Sequence, residues 1–265
     1  MLKLWRTKGK KMKKITLSIS ISAIVLLSSI QAIEKTKAAA PEKSYPSLTD
    51  KTFHKGIIPS EEDMINALKE ALQVGASNAA DALHKTGGYL NDPIIKIPFP
   101  PDAIKIADEL RRLGFGPQVD KFIETMNRGA EDAAVKAAPI FIDAIKGMTL
   151  IDAKNILLGP DNSATTYFKN KTTNGLYAAF SPEIKASLDK VGATKAWSTI
   201  TTKYDRIPFV RPIQTDLVKY ATNKALDGLF VKIADQEKSI RKSTVNPKQV
   251  TDNLKKVFDW AAKMK

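Results

Sequence analysis

Asn127, Arg128 and Glu131 form the cluster in this sequence best suited to chemistry. The run Met126-Asn127-Arg128-Gly129-Ala130-Glu131 reads as helix. Asn127 and Glu131 (i, i+4) then share a face, and Arg128 and Glu131 (i, i+3) can pair. They border the apolar positions Met126 and Ala130, so they should sit partly out of water, where each polar atom needs a partner. Three roles fit this arrangement. The plainest is an ion pair hydrogen-bonded to a neighbouring apolar segment. The second is a polar floor for a ligand. The third makes Glu131 a general acid, kept neutral by burial. Arg128 counts against the third role, because a cation beside a carboxyl favours its ionised form.

Three further residues extend the candidate binding set to Asn127, Arg128, Glu131, Tyr167, Asp227 and Arg241. Asp227 lies among apolar neighbours in Ala225 to Phe230, which predicts a salt bridge to a lysine or arginine on another helix. Arg241 is placed to cap the last carbonyls of a helix or to meet a carboxylate. Tyr167 reads as a core aromatic whose hydroxyl reaches the rim. Other chemistries are excluded by residue type. The chain has no cysteine and two histidines, His54 and His84, so a thiol nucleophile, a Cys/His zinc site and a Ser-His-Asp triad are not expected. Gly114-Phe115-Gly116 lacks the third glycine and the preceding strand of a dinucleotide fingerprint. No metal and no cofactor is implied.

The elements that must hold these residues read as helices. Ser60 with Asp63 forms a capping box, and Glu61, Glu62 and Asp63 load the first turn with negative charge. An apolar stripe from Met64 to Leu83 follows at helical spacing and ends at Gly87-Gly88. Residues 89–101 carry Pro93, Pro98, Pro100 and Pro101, which keep them extended. Such an apolar segment should lie packed across helices, as a strap or as a lid over a cleft. Helices are predicted over Asp102 to Leu113 and from Pro117 to about 137, where Pro139 kinks or restarts the last one through Lys146. Others follow over Ile151 to Leu158 after a Thr149/Asp152 capping box, over Ser163 to Phe180, and from Ser181-Pro182 to Gly192. The last three cover 193–204, Asp216 to Lys242 and Val250 to Met264. Gly228 inside the long one suggests a close approach by a neighbouring helix. No alternating strand pair and no fixed-period repeat appear, so the fold class is all-α, an irregular multi-helix bundle.

The first forty residues have the order of an export signal. Lys3, Arg6, Lys8, Lys10, Lys11, Lys13 and Lys14 precede an apolar run from Ile15 to Ile30, and small residues follow at Ala32 and Ala38 to Ala40. The apolar run is sixteen residues with five serines, short of the about 20 apolar residues a spanning helix needs. Cleavage is therefore expected, at Ala38 by the size of the preceding residues, and Met12 also fits a natural start. The alternative is an uncleaved N-terminal membrane anchor. The expected organisation is a signal peptide over 1–38, a tether over 39–59 and a helical domain over 60–265, secreted or periplasmic. Loss of residues 1–32 lowers the net charge from +14 to +7. The remaining lysines are scattered, so no nucleic-acid track is expected. Weak attraction to an anionic membrane surface follows from that charge without a dedicated site.

Several stretches together resemble the bacterial domain of unknown function 4197. They are Ala67-Leu68-Lys69-Glu70-Ala71-Leu72 with Gly75, Ile95-Lys96-Ile97-Pro98 with Pro100, and Met126 to Glu131. Pro139-Ile140-Phe141 with Ala144-Ile145, Ala164-Thr165-Thr166-Tyr167-Phe168, Ala225 to Phe230, and Glu237 with Ile240-Arg241 complete the match, in order, over roughly residues 60–260. Gly129 departs from the pattern, where alanine is expected. The resemblance implies export and an all-helical fold, and it brings no established activity and no agreed site. Two readings follow. The first is a non-catalytic protein that binds a small amphiphile, a peptide or an envelope partner in a groove between helices. The strap and the helix at 117–137 would wall the groove, and Asn127, Arg128 and Glu131 would orient the ligand. The second is a cell-wall hydrolase or lyase with Glu131 as general acid.

Overall fold

The computed structural model describes residues 59–242 and, further on, 251, 252, 256, 257, 260 and 261. The expected signal peptide, almost all of the tether and most of the expected helix from Val250 to Met264 lie outside the described residues. Among the described residues the protein is all-α, an irregular bundle of eight α-helices without a strand.

Helix α1 (Glu61–His84) starts as its sequence dictates. The Ser60 side chain accepts the Asp63 amide, the Asp63 carboxylate receives the Ser60 amide, and three acids fill the first turn. Its buried stripe runs from Met64 through Leu68, Leu72 and Ala79 to Leu83. A strap over residues 85–100 and a single 3-10 turn (Pro101–Ala103) lead to α2 (Ile104–Arg112). Helix α3 (Gly116–Ala134) and helix α4 (Ala137–Lys146) are separated at 135–136. Pro139 falls in the first turn of α4, where its missing N–H costs nothing. Helix α5 (Leu150–Leu158) carries the second capping box, Thr149 with Asp152.

Helix α6 (Ser163–Lys190) departs from expectation. Ser181-Pro182 does not open a new helix; Pro182 sits inside one continuous helix of 28 residues. The buried positions explain this. Ala164, Phe168, Thr172, Leu176, Phe180, Ile184 and Leu188 recur every fourth residue without a break. A proline inside a helix costs about 3 kcal/mol, but burying Phe180, Ile184 and Leu188 returns about 1.5–3 kcal/mol each. A break at 181 would turn the last two out of the core.

Helix α7 (Ala193–Tyr204) and helix α8 (Leu217–Arg241) complete the described bundle. Helix α6 packs between α3 and α8, while α1 lies against α8 and α4. Phe141, Phe168 and Phe230 form an aromatic contact at the centre of this packing. Gly129 is explained by the same packing. A Cβ there would stand 3.2 Å from Ser187 Cβ and 3.4 Å from Ile184 Cα, so its bareness lets α3 approach α6.

The strap crosses α3 and α8. Tyr89, Ile95, Ile97 and Phe99 are buried, while Ile94 faces solvent. Phe99 packs with Phe122 of α3 and Trp197 of α7. Gly228 does admit a close neighbour, but the neighbour is the strap and not a helix. A Cβ on it would lie 2.8 Å from Tyr89 Cε1 and 3.0 Å from Ile95 Cβ.

Candidate functional site

Asn127 and Glu131 share the face of α3 that the strap covers, as their spacing requires. Asn127 is fully buried. Its Oδ1 accepts the Ile97 amide at 2.8 Å, and its Nδ2 donates to the Ile97 carbonyl at 2.9 Å and to the Ile123 carbonyl at 2.8 Å. The side-chain amide thus imitates a strand partner for one peptide unit of the strap. An extended segment has no ladder of its own, and its buried N–H and C=O must be paired by something. Asn127 supplies both halves.

Glu131 is 3% exposed. Its Oε1 accepts the amides of Tyr89 and Leu90, each at 3.1 Å, and its Oε2 accepts from Arg128 Nη1 at 2.6 Å. Its backbone carbonyl receives His84 Nδ1–H at 3.0 Å from the end of α1. Arg128 also lies 3.7 Å from Glu124. Hydrogen bonding to Glu131 raises the pKa of the Arg128 guanidinium further, fixing its charge. Tyr89 is the third anchor. Its hydroxyl donates to the Ala225 carbonyl of α8 at 2.8 Å, and complete burial drives its ionisation far above the ordinary tyrosine range. The Asn127–Glu131 face is therefore closed by strap backbone and does not line a groove.

The other candidates lie elsewhere. Arg241 does both things expected of it. Its Nη2 donates to the Ile156 carbonyl in the last turn of α5 at 2.8 Å and to Glu237 at 2.8 Å. Glu237 is the residue that sequence reasoning missed as a site. It is 4% exposed, and it receives the Ala164 amide (2.9 Å), the Thr165 amide (2.9 Å) and the Thr165 hydroxyl (2.8 Å). Asn162, the N-cap of α6, makes no side-chain cap bond, so a carboxylate from α8 caps α6 in its place. The space beside this pair is about 10 Å³, too little for a ligand. A signal was present: Glu237 falls between Ile233 and Ile240 on the apolar stripe and four residues before Arg241.

Tyr167 is half-buried and donates its hydroxyl to the Ala144 carbonyl at 2.9 Å; burial raises its pKa. Asp227 corrects an expectation. Its side chain is 73% exposed and pairs at 3.7 Å with Lys224 of its own helix, not with a cation on another. Its apolar neighbours occupy the inner face of α8, and Asp227 points away from them. The structure thus joins Asn127, Arg128 and Glu131 and leaves Tyr167, Asp227 and Arg241 apart from that cluster.

An open concavity among the described residues lies on the outer side of the strap. It is a hollow of about 360 Å³ lined by Ala82, Leu83, Gly87, Gly88, Asn91, Asp92, Pro93, Ile94 and Lys232. Lys232 Nζ lies 2.6 Å from Asp92 Oδ2, and the Ile94 amide donates to Asp92 Oδ1 at 2.9 Å. Lys232 chiefly, then that amide, holds the Asp92 carboxyl below its ordinary range. Among the described residues no group of three or more acids and histidines is placed to bind a metal ion. No described helix is long and apolar enough to cross a membrane.

A family model described as "Protein of unknown function (DUF4197)" matches residues 59–259. No curated protein and no solved structure matches the chain.

Proposed function

The chain belongs to the DUF4197 family, and from that premise we propose that it is an exported, non-catalytic helical protein that holds a small amphiphilic ligand in the hollow outside the strap. One observation carries the non-catalytic half. Both oxygens of Glu131 and of Glu237, the buried carboxylates among the described residues, are taken by backbone amides, a hydroxyl and arginine. A general acid or base must reach a substrate proton; these two reach only the chain itself. Their work is to hold the strap and to cap α6.

The hollow supports the binding half. Its volume of about 360 Å³ falls in the range of small-ligand sites, about 300–1,000 Å³. Its lining is amphiphilic, combining Pro93 and the exposed Ile94 with Asn91, Asp92 and Lys232. A small amphiphile or a peptide end fits that mixed lining better than a purely apolar guest. Export rests on the charged, apolar, small-residue order of residues 1–40. The reading of Glu131 as the acid of a cell-wall hydrolase or lyase has weaker support, because the strap amides and Arg128 occupy the carboxylate.

Thermal shift against lysophospholipids, fatty acids and short peptides tests the proposal. A ligand present at 100 times its Kd should add about 2.7 kcal/mol of stability. Ile94→Asp and Lys232→Gln should each reduce that gain without lowering the starting Tm by more than a few degrees. Silence across the panel, or a gain indifferent to both substitutions, overturns the proposal.

A further inference from the structure

The segment joining α7 to α8 carries the most exposed large apolar side chain among the described residues. Phe209 has 108% relative exposure, and Ile207 beside it has 51%. The Phe209 backbone adopts φ 66°, the left-handed region that a bulky residue enters only when its surroundings impose it. The imposing structure is the base of the loop. The Ile213 amide donates to Asp205 Oδ1 at 2.9 Å, and the Ile207 amide donates to the Tyr204 carbonyl at 2.9 Å. Trp197 Nε1 donates to the Thr215 carbonyl at 2.9 Å, and the Thr215 hydroxyl donates to Asp102 at 2.6 Å. Pro208 and Pro212 stiffen what lies between. A free loop would fold a phenylalanine back onto the protein; this one is clasped at the base with its apolar tip held outward.

The tip is flanked in the chain by positive charge. Lys203, Arg206 and Arg211 are all exposed, and none makes an ion pair with another described residue. The acid within this stretch, Asp205, turns one oxygen inward to the Ile213 amide. We propose that residues 206–211 form an insertion tip that docks the domain on an anionic lipid bilayer. Ile207 and Phe209 enter the headgroup–acyl boundary, while Arg206, Arg211 and Lys203 meet lipid phosphates. The composition favours a bilayer as occupant. The exposed apolar Ile207 and Phe209 lie between the exposed Arg206 and Arg211, which complements acyl chains beneath a layer of lipid phosphates. This site is separate from the hollow of the proposed function, and neither depends on the other.

The absence of native cysteine permits a test on the full chain. A unique thiol from Phe209→Cys is labelled with an environment-sensitive fluorophore, and the reference thiol is Ile151→Cys. Ile151 is equally apolar and 71% exposed on α5, a helix that packs on α1 and α6. On phosphatidylglycerol-containing vesicles the label at 209 should shift to the blue and the label at 151 should not. Phosphatidylcholine vesicles should give a much weaker shift at 209. Adding Arg206→Gln with Arg211→Gln should demand about thirtyfold more anionic lipid for the same shift. Phe209→Gly suits the backbone conformation and should keep or raise the Tm, while lowering vesicle binding of the tip. No shift at 209, an equal shift at 151, or a shift indifferent to lipid charge overturns the proposal. So does a shift produced only by a protein fraction and never by vesicles.

Discussion

Removing the Glu131 carboxylate should destabilise the domain through the strap, and the structure gives the size. Glu131→Ala deprives the amides of Tyr89 and Leu90 of their acceptor. Each buried, unsatisfied donor costs about 1–3 kcal/mol, so about 4 kcal/mol is expected for the pair. Glu131→Gln keeps an oxygen for both amides but gives Arg128 a neutral partner with a competing NH2. The charge-assisted bond from Arg128 is then lost, because its N–H faces an NH2 that cannot accept, at about 2 kcal/mol. Arg128→Ala removes a partner whose side chain is 35% exposed. Solvent screening and the two remaining amides hold that loss to about 1 kcal/mol. For a domain of this size, 1 kcal/mol moves Tm by about 2–4 °C. The expected order is therefore alanine about 8–16 °C below wild type, glutamine about 4–8 °C, and the arginine variant about 2–4 °C. Urea unfolding followed by circular dichroism at 222 nm measures the same series as ΔG. A Glu131→Ala variant within 1 kcal/mol of wild type would refute the reasoning, because no buried donor would then have been orphaned.

Four more outcomes follow from the same geometry. Asn127→Asp should cost about 4 kcal/mol at pH 7, since a carboxylate would face the Ile97 and Ile123 carbonyls where Nδ2 now donates. The introduced carboxyl would have a raised folded-state pKa. The variant should therefore regain stability as pH falls toward about 4, in denaturation series run at both pH values. Gly228→Ala should lose about 1–2 kcal/mol despite its better helix propensity, because the new Cβ meets Tyr89 and Ile95 at 3.0 Å or less; thermal melts read it. Glu237→Ala should cost about 3–5 kcal/mol by uncapping α6 and leaving Arg241 without its carboxylate, measured by urea unfolding. Asp92→Asn should be less stable than wild type at neutral pH. The folded pKa of Asp92 is lowered, so its contribution is complete above the unfolded value near about 4 and is lost as pH falls through the folded value. The two Tm curves should converge in acid.

Local rules sufficed for most of the helices. Ser60 with Asp63 and Thr149 with Asp152 announce two N-termini through reciprocal side-chain bonds, and Pro139 marks a restart by its missing N–H. The apolar period was equally plain in Met64 to Leu83 and in Leu217 to Ile233. Pro182 is a local breaker whose signal carries nothing about packing, whereas Phe180, Ile184 and Leu188 share one unbroken core stripe. The strap was legible as a non-helical apolar segment from its prolines, but it is not extended throughout: residues 86–91 and 93–95 run in turns closed by local bonds such as Asn91 N–H to the Gly87 carbonyl and Lys96 N–H to the Asp92 carbonyl. Its covering of Asn127 and Glu131 follows from their burial, and a hydrogen-bonded ion pair against that segment was among the roles read from the spacing. Asp227 was misplaced because apolar neighbours along the chain say little about which side of a helix a residue faces. Glu237 was overlooked because its partners, the amides of Ala164 and Thr165, lie more than seventy residues away in the chain, and sequence spacing does not encode such contacts. The outer hollow is built from a turn, a helix end and Lys232, which no short motif unites.

Amide hydrogen exchange at Tyr89, Leu90 and Ile97 is the measurement closest to the central claim, that α3 clamps the strap and spends its buried polar groups in doing so. The account expects these three amides to exchange as slowly as those in the middle of α8, although they lie in no helix. Exchange at the rate of an open loop would mean that the strap lifts freely and that Asn127 and Glu131 are available for other work.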